Sequence, residues 1–414
     1  MAETGFFRNR WWMVFASVIG LTVNTGVVSV FLFSVFIKPV TEELGLSRGG
    51  LSSALVVGSL FTAILTPVFG WAIDRFGIKA VHLPMIAAFA LSTASLSLMP
   101  ASLPWVVVIY TIHNMTGAGQ SPVAYSKTLA GWFDKDRGLA LGIAIAGVGL
   151  GVIIMPQYAG YMITHYGWRA AYVGIGIAIL VLAFIPVAVF MRDPPTSRAG
   201  QRGSGVAAAL EGATWGEAAF RSWRFWAMTI AFFLVVVAVN GTLGSIVAVL
   251  TDRGLPLQTA LGALSASGAA LFAGRILSGY LLDRIHGPYV ATLFFCCSIA
   301  GIAIIAGGGG GMAPFAGTLL CGLGIGAEVD LMAFFVSRYF GLKSFGAIYG
   351  TMFALFSLGN GVGPLLMGIT YDHFHNYVPM LIGFDGALAV ACLLLLGLGP
   401  YRFAARSGER TATA

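Results

Sequence analysis

Twelve long apolar segments constrain this chain more than any other feature of its sequence. A helix needs about 20 apolar residues to cross the hydrocarbon core of a bilayer, and each segment is of about this length. They are 11–37, 51–73, 80–99, 104–128, 138–163, 168–190, 224–250, 257–282, 288–309, 313–337, 345–371 and 377–401. Only 9% of the 414 residues are charged, against roughly 25% in soluble domains. The sequence therefore predicts an all-α integral membrane protein with twelve transmembrane helices, whose solvent is the lipid bilayer.

The basic residues are distributed unevenly between the two sides of the membrane. With the N-terminus placed in the cytoplasm, 18 of the 23 Lys and Arg fall on the inner side. Four fall on the outer side: Lys38, Arg48, Arg169 and Arg253. This bias is typical of bacterial multi-pass proteins and predicts a cytoplasmic (inner) membrane protein with both termini in the cytoplasm. It also accounts for the net charge of +7, so we expect no nucleic-acid partner.

One short motif occurs twice, at nearly corresponding positions. The sequences "GWAIDR" and "GYLLDR" are both Gly-x-x-x-Asp-Arg, and their aspartates, Asp74 and Asp283, are 209 positions apart (283 − 74). Pro156 and Pro364 keep nearly the same offset, at 208 positions. These matches predict an internal duplication into two pseudo-symmetric halves of six helices each.

The segment between the halves has a different composition. It contains "RDPPTSRAGQRGSG", with two prolines, three glycines and no apolar run, and then "TWGEAAF", which predicts a short surface helix. We therefore divide the chain into an N-terminal half at 1–190, a cytoplasmic linker at 191–223 and a C-terminal half at 224–414 that ends in a short cytoplasmic tail.

This organisation, with Gly-x-x-x-Asp-Arg-x-Gly after the second helix, resembles the major facilitator superfamily of secondary transporters. The resemblance implies alternating access, in which the Asp of the loop caps a neighbouring helix and the Arg joins a charge network that closes one conformation. By motif match the latch residues are Asp74, Arg75 and Gly77, with a looser copy at Asp283 and Arg284. In the second copy His286 stands before the glycine. The simpler interpretation is an ordinary capped turn.

Three further phrases resemble the monocarboxylate transporter family and its bacterial oxalate/formate relatives. They are "NTGVVSVFLFSVFIKPVTEELGLSRGGLS", "WFDKDRGLALGIAIAGVGLG" and "VSRYFGLKSFGAIYG". The resemblance implies a carrier of small organic anions with a substrate-binding arginine in the eighth helix, here Arg275. Two departures stand out: Leu271 occupies the place of an aspartate in the animal transporters, and "YGTMFALFSLGNGVG" lacks the lysine of the oxalate/formate antiporters. Neither coupling mechanism therefore transfers intact.

Arg275 is also a functional candidate without the resemblance. It lies eight residues before Asp283, or about 12 Å along a helix at 1.5 Å per residue, and so close to the membrane midplane. An arginine there costs about 2.5–3.5 kcal/mol on insertion, and such residues usually serve function. Its guanidinium can donate two parallel hydrogen bonds to a carboxylate. The alternative is a permanent ion pair with an acid on another helix.

Other polar residues within the apolar segments complete the candidate site. The candidates for proton coupling are Asp330 and Glu328 in the tenth helix and His113 in the fourth. Glu328 and Asp330 are two residues apart and project about 200° apart on a helix, so only one of them can face a central cavity. The further candidates for binding substrate are His113, Asn114, Asn24, Tyr158, Asn240 and Asn360.

The leading functional hypothesis is a proton-coupled carrier of a small organic anion, most simply a monocarboxylate. The alternatives are an anion exchanger of the oxalate/formate type and a membrane sensor that does not transport. We predict no enzymatic activity, cofactor or metal, because no Ser/His/Asp, paired-carboxylate or metal-ligand pattern occurs at useful spacing. Glycine runs such as "GVGLG" lie inside apolar segments, where small residues let helices approach closely. We expect the protein to function as a monomer.

Overall fold

The computed structural model describes residues 9–133, 137–192, 212–341 and 343–403, without the side chains of Asp74, Val123, Ala130 and Arg137. Nearly all of these residues are helical. Within the described ranges the single β-type pairing is an isolated bridge between Gly212 and Gly341. The bridge fastens the end of the linker to the loop between two helices of the second half.

The first half contains six helices. α1 runs in three pieces, Trp11–Leu21, the π-helical Val27–Phe31, and Phe33–Leu44; α2 is Arg48–Phe76, α3 is Ile78–Ser95, and α4 is Leu103–Gly117 followed by Pro122–Trp132. The helical stretch Arg137–Ile179 divides into α5 and α6 at Gly167, whose φ of 81° is a conformation that glycine adopts without strain. α6 continues through Leu180–Phe184 to Ile185–Phe190.

The second half repeats this plan after a short linker helix, Trp215–Arg221. The bounds are Trp223–Leu243 and Ile246–Asp252 for α7, Leu257–Leu282 for α8, Gly287–Ala306 for α9, Ala313–Phe340 for α10, Phe345–Phe374 for α11 and Val378–Leu396 for α12. The linker helix begins with a reciprocal capping box between Thr214 and Glu217, which satisfies two backbone donors of its first turn. The short helix predicted from "TWGEAAF" is confirmed.

The prediction of twelve transmembrane helices in two halves is confirmed. Nine stretches of the described residues are long and apolar enough to cross a membrane, and one of them, Leu139–Phe190, comprises both α5 and α6. The interrupted helices α1 and α4 complete the set. Because the helices alternate in direction, the start of α1, the end of α6, the linker helix and the end of α12 lie at one end of the bundle, which we call the linker end; the opposite end is the far end. The division at 190 and 224 stays a prediction.

Two buried interruptions meet inside the first half. α1 breaks after Leu21, where Asn24 donates to the Leu21 carbonyl at 2.6 Å and accepts from the Gly26 amide at 2.7 Å. α4 breaks before Pro122, which has no amide hydrogen to continue the helix. Gln120, in the α4 break, donates to the Gly20 carbonyl of α1 at 3.1 Å. Side-chain amides thus replace backbone bonds that the interruptions leave open.

The two halves pack against each other in the part of the bundle towards the far end. Glycines bring α2 and α11 together: a Cβ on Gly368 would lie 2.7 Å from the amide nitrogen of Gly49, and one on Gly361 would lie 2.6 Å from Cα of Val56. α5 and α8 approach equally closely, since a Cβ on Gly268 would lie 2.9 Å from the Gly149 carbonyl oxygen. Small residues allow this backbone contact.

Towards the linker end the faces of α5 and α8 that touch at Gly149 and Gly268 separate, since a Cβ on Gly142 of α5 or on Gly279 of α8 would meet no neighbouring atom within 4 Å. Ile64 and Trp71 of α2 are exposed, as are Ile276 and Tyr280 of α8. The bundle is therefore closed at the far end, and the cleft between its halves opens towards the linker end.

The glycine pair predicted to pack helices does so within the first half. A Cβ on Gly147 of α5 would lie 2.1 Å from the Val18 carbonyl oxygen of α1, and one on Gly151 would lie 2.3 Å from that of Thr22. The role of these glycines in close helix contact is confirmed.

Candidate functional site

Arg275 lies on the part of α8 nearer the linker end and pairs with an acid of α10. Its Nε is 3.2 Å from Oδ2 of Asp330 and 3.5 Å from the Gly326 carbonyl oxygen. Both charged side chains are partly exposed, at 21% for Arg275 and 38% for Asp330. At 1.5 Å per residue, Arg275 is about 8 Å closer to the linker end than the middle of α8, so it lies nearer the open end of the cleft than the sequence suggested.

A glycine positions this ion pair. A Cβ on Gly326 would lie 2.3 Å from the Leu271 carbonyl oxygen and 2.9 Å from the backbone nitrogen of Arg275. Gly274 of α8 and Gly322 of α10 make similar close approaches to the opposite helix. α8 and α10 therefore touch backbone to backbone, and this contact sets the distance between Arg275 and Asp330.

The guanidinium keeps donors available for a ligand. Its described contacts run through Nε, and its two terminal nitrogens, Nη1 and Nη2, donate to no residue in the described part of the chain. A carboxylate can accept two parallel hydrogen bonds from such a pair. The ion pair with Asp330 and the binding of an anion therefore use different nitrogens of the same side chain.

Glu328 takes the opposite direction to Asp330, as their spacing predicts. It is 2% exposed, and its Oε2 has no hydrogen-bond partner among the described residues. It is close enough to Arg275 for an electrostatic interaction. Asp330 thus faces the cleft, whereas Glu328 is enclosed by neighbouring helices.

Tyr349 of α11 is a site residue that the sequence reading missed. Its hydroxyl lies within electrostatic range of both Arg275 and Asp330, and α11 is in contact with α10. The signal available in the sequence was the spacing of Phe345, Tyr349 and Phe353, which repeats every four residues and places three rings on one helix face.

Asn240 and Asn360, both predicted to bind substrate, are brought together. Nδ2 of Asn240 on α7 donates to Oδ1 of Asn360 on α11 at 2.6 Å. Asn240 is buried and Asn360 is partly exposed. Oδ1 of Asn240 has no partner among the described residues, so this pair retains an acceptor.

The predicted residues of the first half are engaged with their own neighbours. His113 of α4 bonds through Nε2 to Ser29 of α1 at 3.0 Å and through Nδ1 to Thr93 of α3 at 3.4 Å, and it is 1% exposed. Its ring stacks on Phe89. The structure therefore places His113 in the packing of the first half, apart from the Arg275–Asp330 pair.

Three further predicted residues are also held by their surroundings. Asn114 is buried and donates to the Tyr110 carbonyl at 2.9 Å. Asn24 supports the interruption of α1 through both ends of its amide. The Tyr158 hydroxyl lies against Gly174 of α6, where a Cβ would be 2.8 Å away. Their roles in substrate binding stay predictions.

The predicted latch residues lie at the linker end. The side chain of Asp74 falls outside the described residues, so its role stays a prediction. The Arg75 guanidinium lies over the Trp71 ring of its own helix at 5.4 Å, and Gly77 has a φ of 90°, which favours glycine.

The second copy of the motif shows the same arrangement. The Arg284 guanidinium lies over the Tyr280 ring of its own helix at 3.7 Å, and Asp283 is exposed at the end of α8. Both arginines thus contact their own helices in this conformation, in which the linker end is open.

Charged residues join the two halves at the far end, and the sequence reading missed this pairing. We define the far-end cluster as Lys38, Arg48, Asp252, Asp372 and Tyr377. Arg48 of α2 binds both carboxylate oxygens of Asp252 on α7 and also the Tyr377 hydroxyl. Nζ of Lys38 is 3.1 Å from Oδ1 of Asp252.

Two physical features hold the far-end cluster closed. Asp372, at the end of α11, accepts from the backbone amides of Arg48 at 3.0 Å and Gly49 at 2.8 Å, and so caps the start of α2. Burial by itself would raise the pKa of Asp252, but the hydrogen bonds and charges of Arg48 and Lys38 outweigh it and lower that pKa below its ordinary value.

The described residues hold no group of three or more His, Cys, Asp or Glu side chains placed to bind a metal ion. The arrangement around Arg275 instead suits an anion: a fixed cation, free donors, and a partner acid that can take up or release a proton.

Comparison with known proteins identifies one family and several similar transporters. The family model of the Major Facilitator Superfamily matches residues 18–364. The chain is 27% identical over 289 residues to the oxalate:formate antiporter of Oxalobacter formigenes, covering 68% of this chain and 66% of that protein. It is 24% identical over 392 residues to monocarboxylate transporter 13 of Bos taurus, covering 90% and 85%. The crystal structure of the nucleoside transporter NupG aligns with a TM-score of 0.73 at 11% identity, covering 94% of this chain and 99% of that one.

Proposed function

Because this chain belongs to the Major Facilitator Superfamily, we propose that it is a secondary transporter of small organic anions, most simply a monocarboxylate, in symport with a proton. The observation that carries this proposal is Arg275, an intramembrane cation beside an open cleft, whose Nη1 and Nη2 have no partner among the described residues. The similarity to an oxalate:formate antiporter and to a monocarboxylate transporter supports the same class of substrate.

Arg275 binds the carboxylate of the substrate end-on through its two terminal nitrogens. This geometry fixes the orientation of the anion, and guanidinium stays charged at any relevant pH. The helices around it replace part of the surrounding water and lower the local dielectric constant, so the charge interaction is stronger than it would be in solution. A neutral analogue of the substrate gains none of this stabilisation.

Asp330 couples the anion to a proton. When Asp330 is ionised, its negative charge offsets part of the attraction between Arg275 and the substrate; when Asp330 takes up a proton, the full charge of Arg275 acts on the substrate. Proton and carboxylate therefore favour each other's binding, and this coupling is reciprocal. Glu328 is the second candidate for the proton, since it lies in the electrostatic range of the same arginine.

The orientation of the protein follows from its charges. The loops at the linker end carry the excess of Lys and Arg, which supports a cytoplasmic position for this end. The structure, open at the linker end, then corresponds to the inward-facing state, and the far-end cluster is its outer gate. In the opposite state the latch around Asp74 and Arg75 would close the linker end.

Purified protein in sealed liposomes tests the proposal. An outside-acid pH gradient, which directs protons inward, should by itself drive uphill uptake of a labelled monocarboxylate such as propionate faster than in liposomes without the protein. Arg275→Gln should weaken binding by about ten- to a hundredfold, because charge-assisted hydrogen bonds contribute about 1.5–3 kcal/mol. Asp330→Asn should keep carboxylate binding and lose the response to the gradient. Arg221→Gln, on the linker helix, is the matched control and should behave as the parent protein.

Three outcomes would contradict parts of the proposal. Uptake that requires trapped internal anion and ignores the pH gradient would identify an exchanger of the oxalate/formate type. Binding without movement would identify a sensor. Parent-like carboxylate binding by folded Arg275→Gln protein would show that Arg275 is not the anion site.

A further inference from the structure

An aromatic ladder occupies one face of α11 on the side of the linker end. The ladder consists of Phe345, Tyr349, Phe353 and Phe356. The ring centroids of successive members are 5.6, 5.8 and 5.6 Å apart, and their planes are inclined by 5°, 23° and 25°. Spacings of three and four residues place all four rings on the same stripe of the helix.

A hydrogen bond at the deep end of the stripe and the charges near its other end show which way it faces. Asn360, four residues beyond the ladder, is hydrogen-bonded to Asn240 of α7. Tyr349, eleven residues before Asn360 and so on the same face of the helix, lies within electrostatic range of Arg275 of α8 and Asp330 of α10. The ladder between these contacts therefore faces the interior of the second half rather than the lipid.

The two central rings of the ladder are accessible to a ligand and face away from the lipid. Tyr349 and Phe353 are partly exposed, whereas Phe356 is buried at the deep end of the ladder. An aliphatic acid of two or three carbons has no ring that could stack on such a surface. A ligand with an aromatic ring gains from stacking against it, because aromatic pairs are favourable beyond the burial of their area.

We propose that the site selects aryl carboxylates: the carboxylate binds Nη1 and Nη2 of Arg275, and the ring lies against Tyr349 and Phe353. This inference rests on the proposed function, since it names the class of anion that the same site carries. The ladder begins at the linker end with Phe345, so it also lines the side of the cleft by which such a ring enters or leaves.

Direct binding of three acids to the purified protein tests this inference. Benzoate presents a flat ring, cyclohexanecarboxylate presents the same number of ring carbons without a π face, and propionate presents no ring. We expect benzoate to bind roughly two- to tenfold more tightly than cyclohexanecarboxylate, the range that one aromatic contact supplies. Titration calorimetry in detergent measures all three affinities.

Two variants locate the preference on the ladder. Phe353→Leu keeps an apolar side chain but removes the π face, so it should abolish the preference for benzoate and leave propionate unchanged. Tyr349→Leu should likewise abolish the preference for benzoate over cyclohexanecarboxylate, and it serves if Phe353→Leu does not fold; only this ratio is its readout, because Tyr349 also lies near Arg275 and Asp330. Phe374→Leu, at the exposed far end of the same helix, is the matched control and should retain the preference.

The outcomes separate this inference from the proposed function. If the parent protein binds the three acids through Arg275 without preferring benzoate, or if both ladder variants retain the preference, the aryl assignment is wrong and the anion carrier stands. If Arg275→Gln binds all three acids as the parent does, the anion site itself is wrong, and the aryl assignment falls with it.

Discussion

Replacing Asp252 with Asn should open the far end of the transporter. Asp252 belongs to the second half, and its partners Arg48 and Lys38 belong to the first, so their bonds exist only while the two halves meet at the far end. The pair is well enclosed, with side-chain exposures of 9% for Arg48 and 15% for Asp252. Charge-assisted hydrogen bonds of this kind contribute about 1.5–3 kcal/mol. The equilibrium should therefore shift roughly ten- to a hundredfold away from the far-end-closed state.

Pulsed electron resonance between two spin labels measures this shift. Cysteines at Ala101 and Met312 place one label on a far-end loop of each half, and both positions are exposed. The four native cysteines are first replaced by serine. Asp252→Asn should add or enlarge a population of longer distances relative to the parent protein.

The matched control is an ion pair on the same side that does not cross the halves. Glu43 and Arg169 both belong to the first half, with 2.9 Å between Oε1 and Nη2. Glu43→Gln should leave the distance distribution unchanged. An unchanged distribution in Asp252→Asn, or an equal change in Glu43→Gln, would refute the assignment of the far-end cluster as the outer gate.

Two further predictions concern pH and helix contact. Because Asp252 has a lowered pKa, its contribution to far-end closure should be fully present above the ordinary aspartate pKa of about 3.9. The contribution should be lost only as the pH falls through the lowered pKa. Opening of the far end between about pH 6 and 5, measured by the distance between the two labels, would contradict this. Gly326→Ala should destabilise the protein by about 1–3 kcal/mol by overpacking and weaken the Arg275–Asp330 pair, because its Cβ would meet the α8 backbone. Gly279→Ala, whose Cβ would meet nothing within 4 Å, is the control in thermal unfolding, and equal melting temperatures would reject the argument.

The helices near the far end show why hydropathy locates spans better than it locates charges. The apolar segments at 11–37 and 51–73 predicted α1 and α2, but the helices extend to Leu44 and begin at Arg48. Ser47 caps α2 by accepting from the Gly50 amide, a local signal that precedes the apolar run. Lys38 and Arg48 therefore stand on helix ends that face the second half, whereas the sequence reading used them only as evidence of topology.

For the polar residues of the site, too, the sequence predicted some features and the tertiary structure decided the others. The spacing of Glu328 and Asp330 predicted that only one of them faces the cleft, since helical geometry fixes their angle. The choice of Asp330 depended on how α10 is rotated against α8, which the glycine contacts at Gly322 and Gly326 determine. The pairing of Asn240 with Asn360 joins residues 120 positions apart, and neither shows in its own segment that the other is its partner.

By itself the sequence determined that the protein spans a membrane twelve times, that it is built from two related halves, and that Arg275 is a cation within the bilayer. These properties are local, because the insertion of each helix into a bilayer depends on its own length, apolarity and flanking charge. Only the tertiary structure decided that Arg275 pairs with Asp330 through Nε, that an aromatic ladder faces this pair, and that the far end is the closed one. Such features depend on the rotation and contact of whole helices, and the conformations of a transporter differ by only a few kcal/mol, which no single segment of sequence specifies.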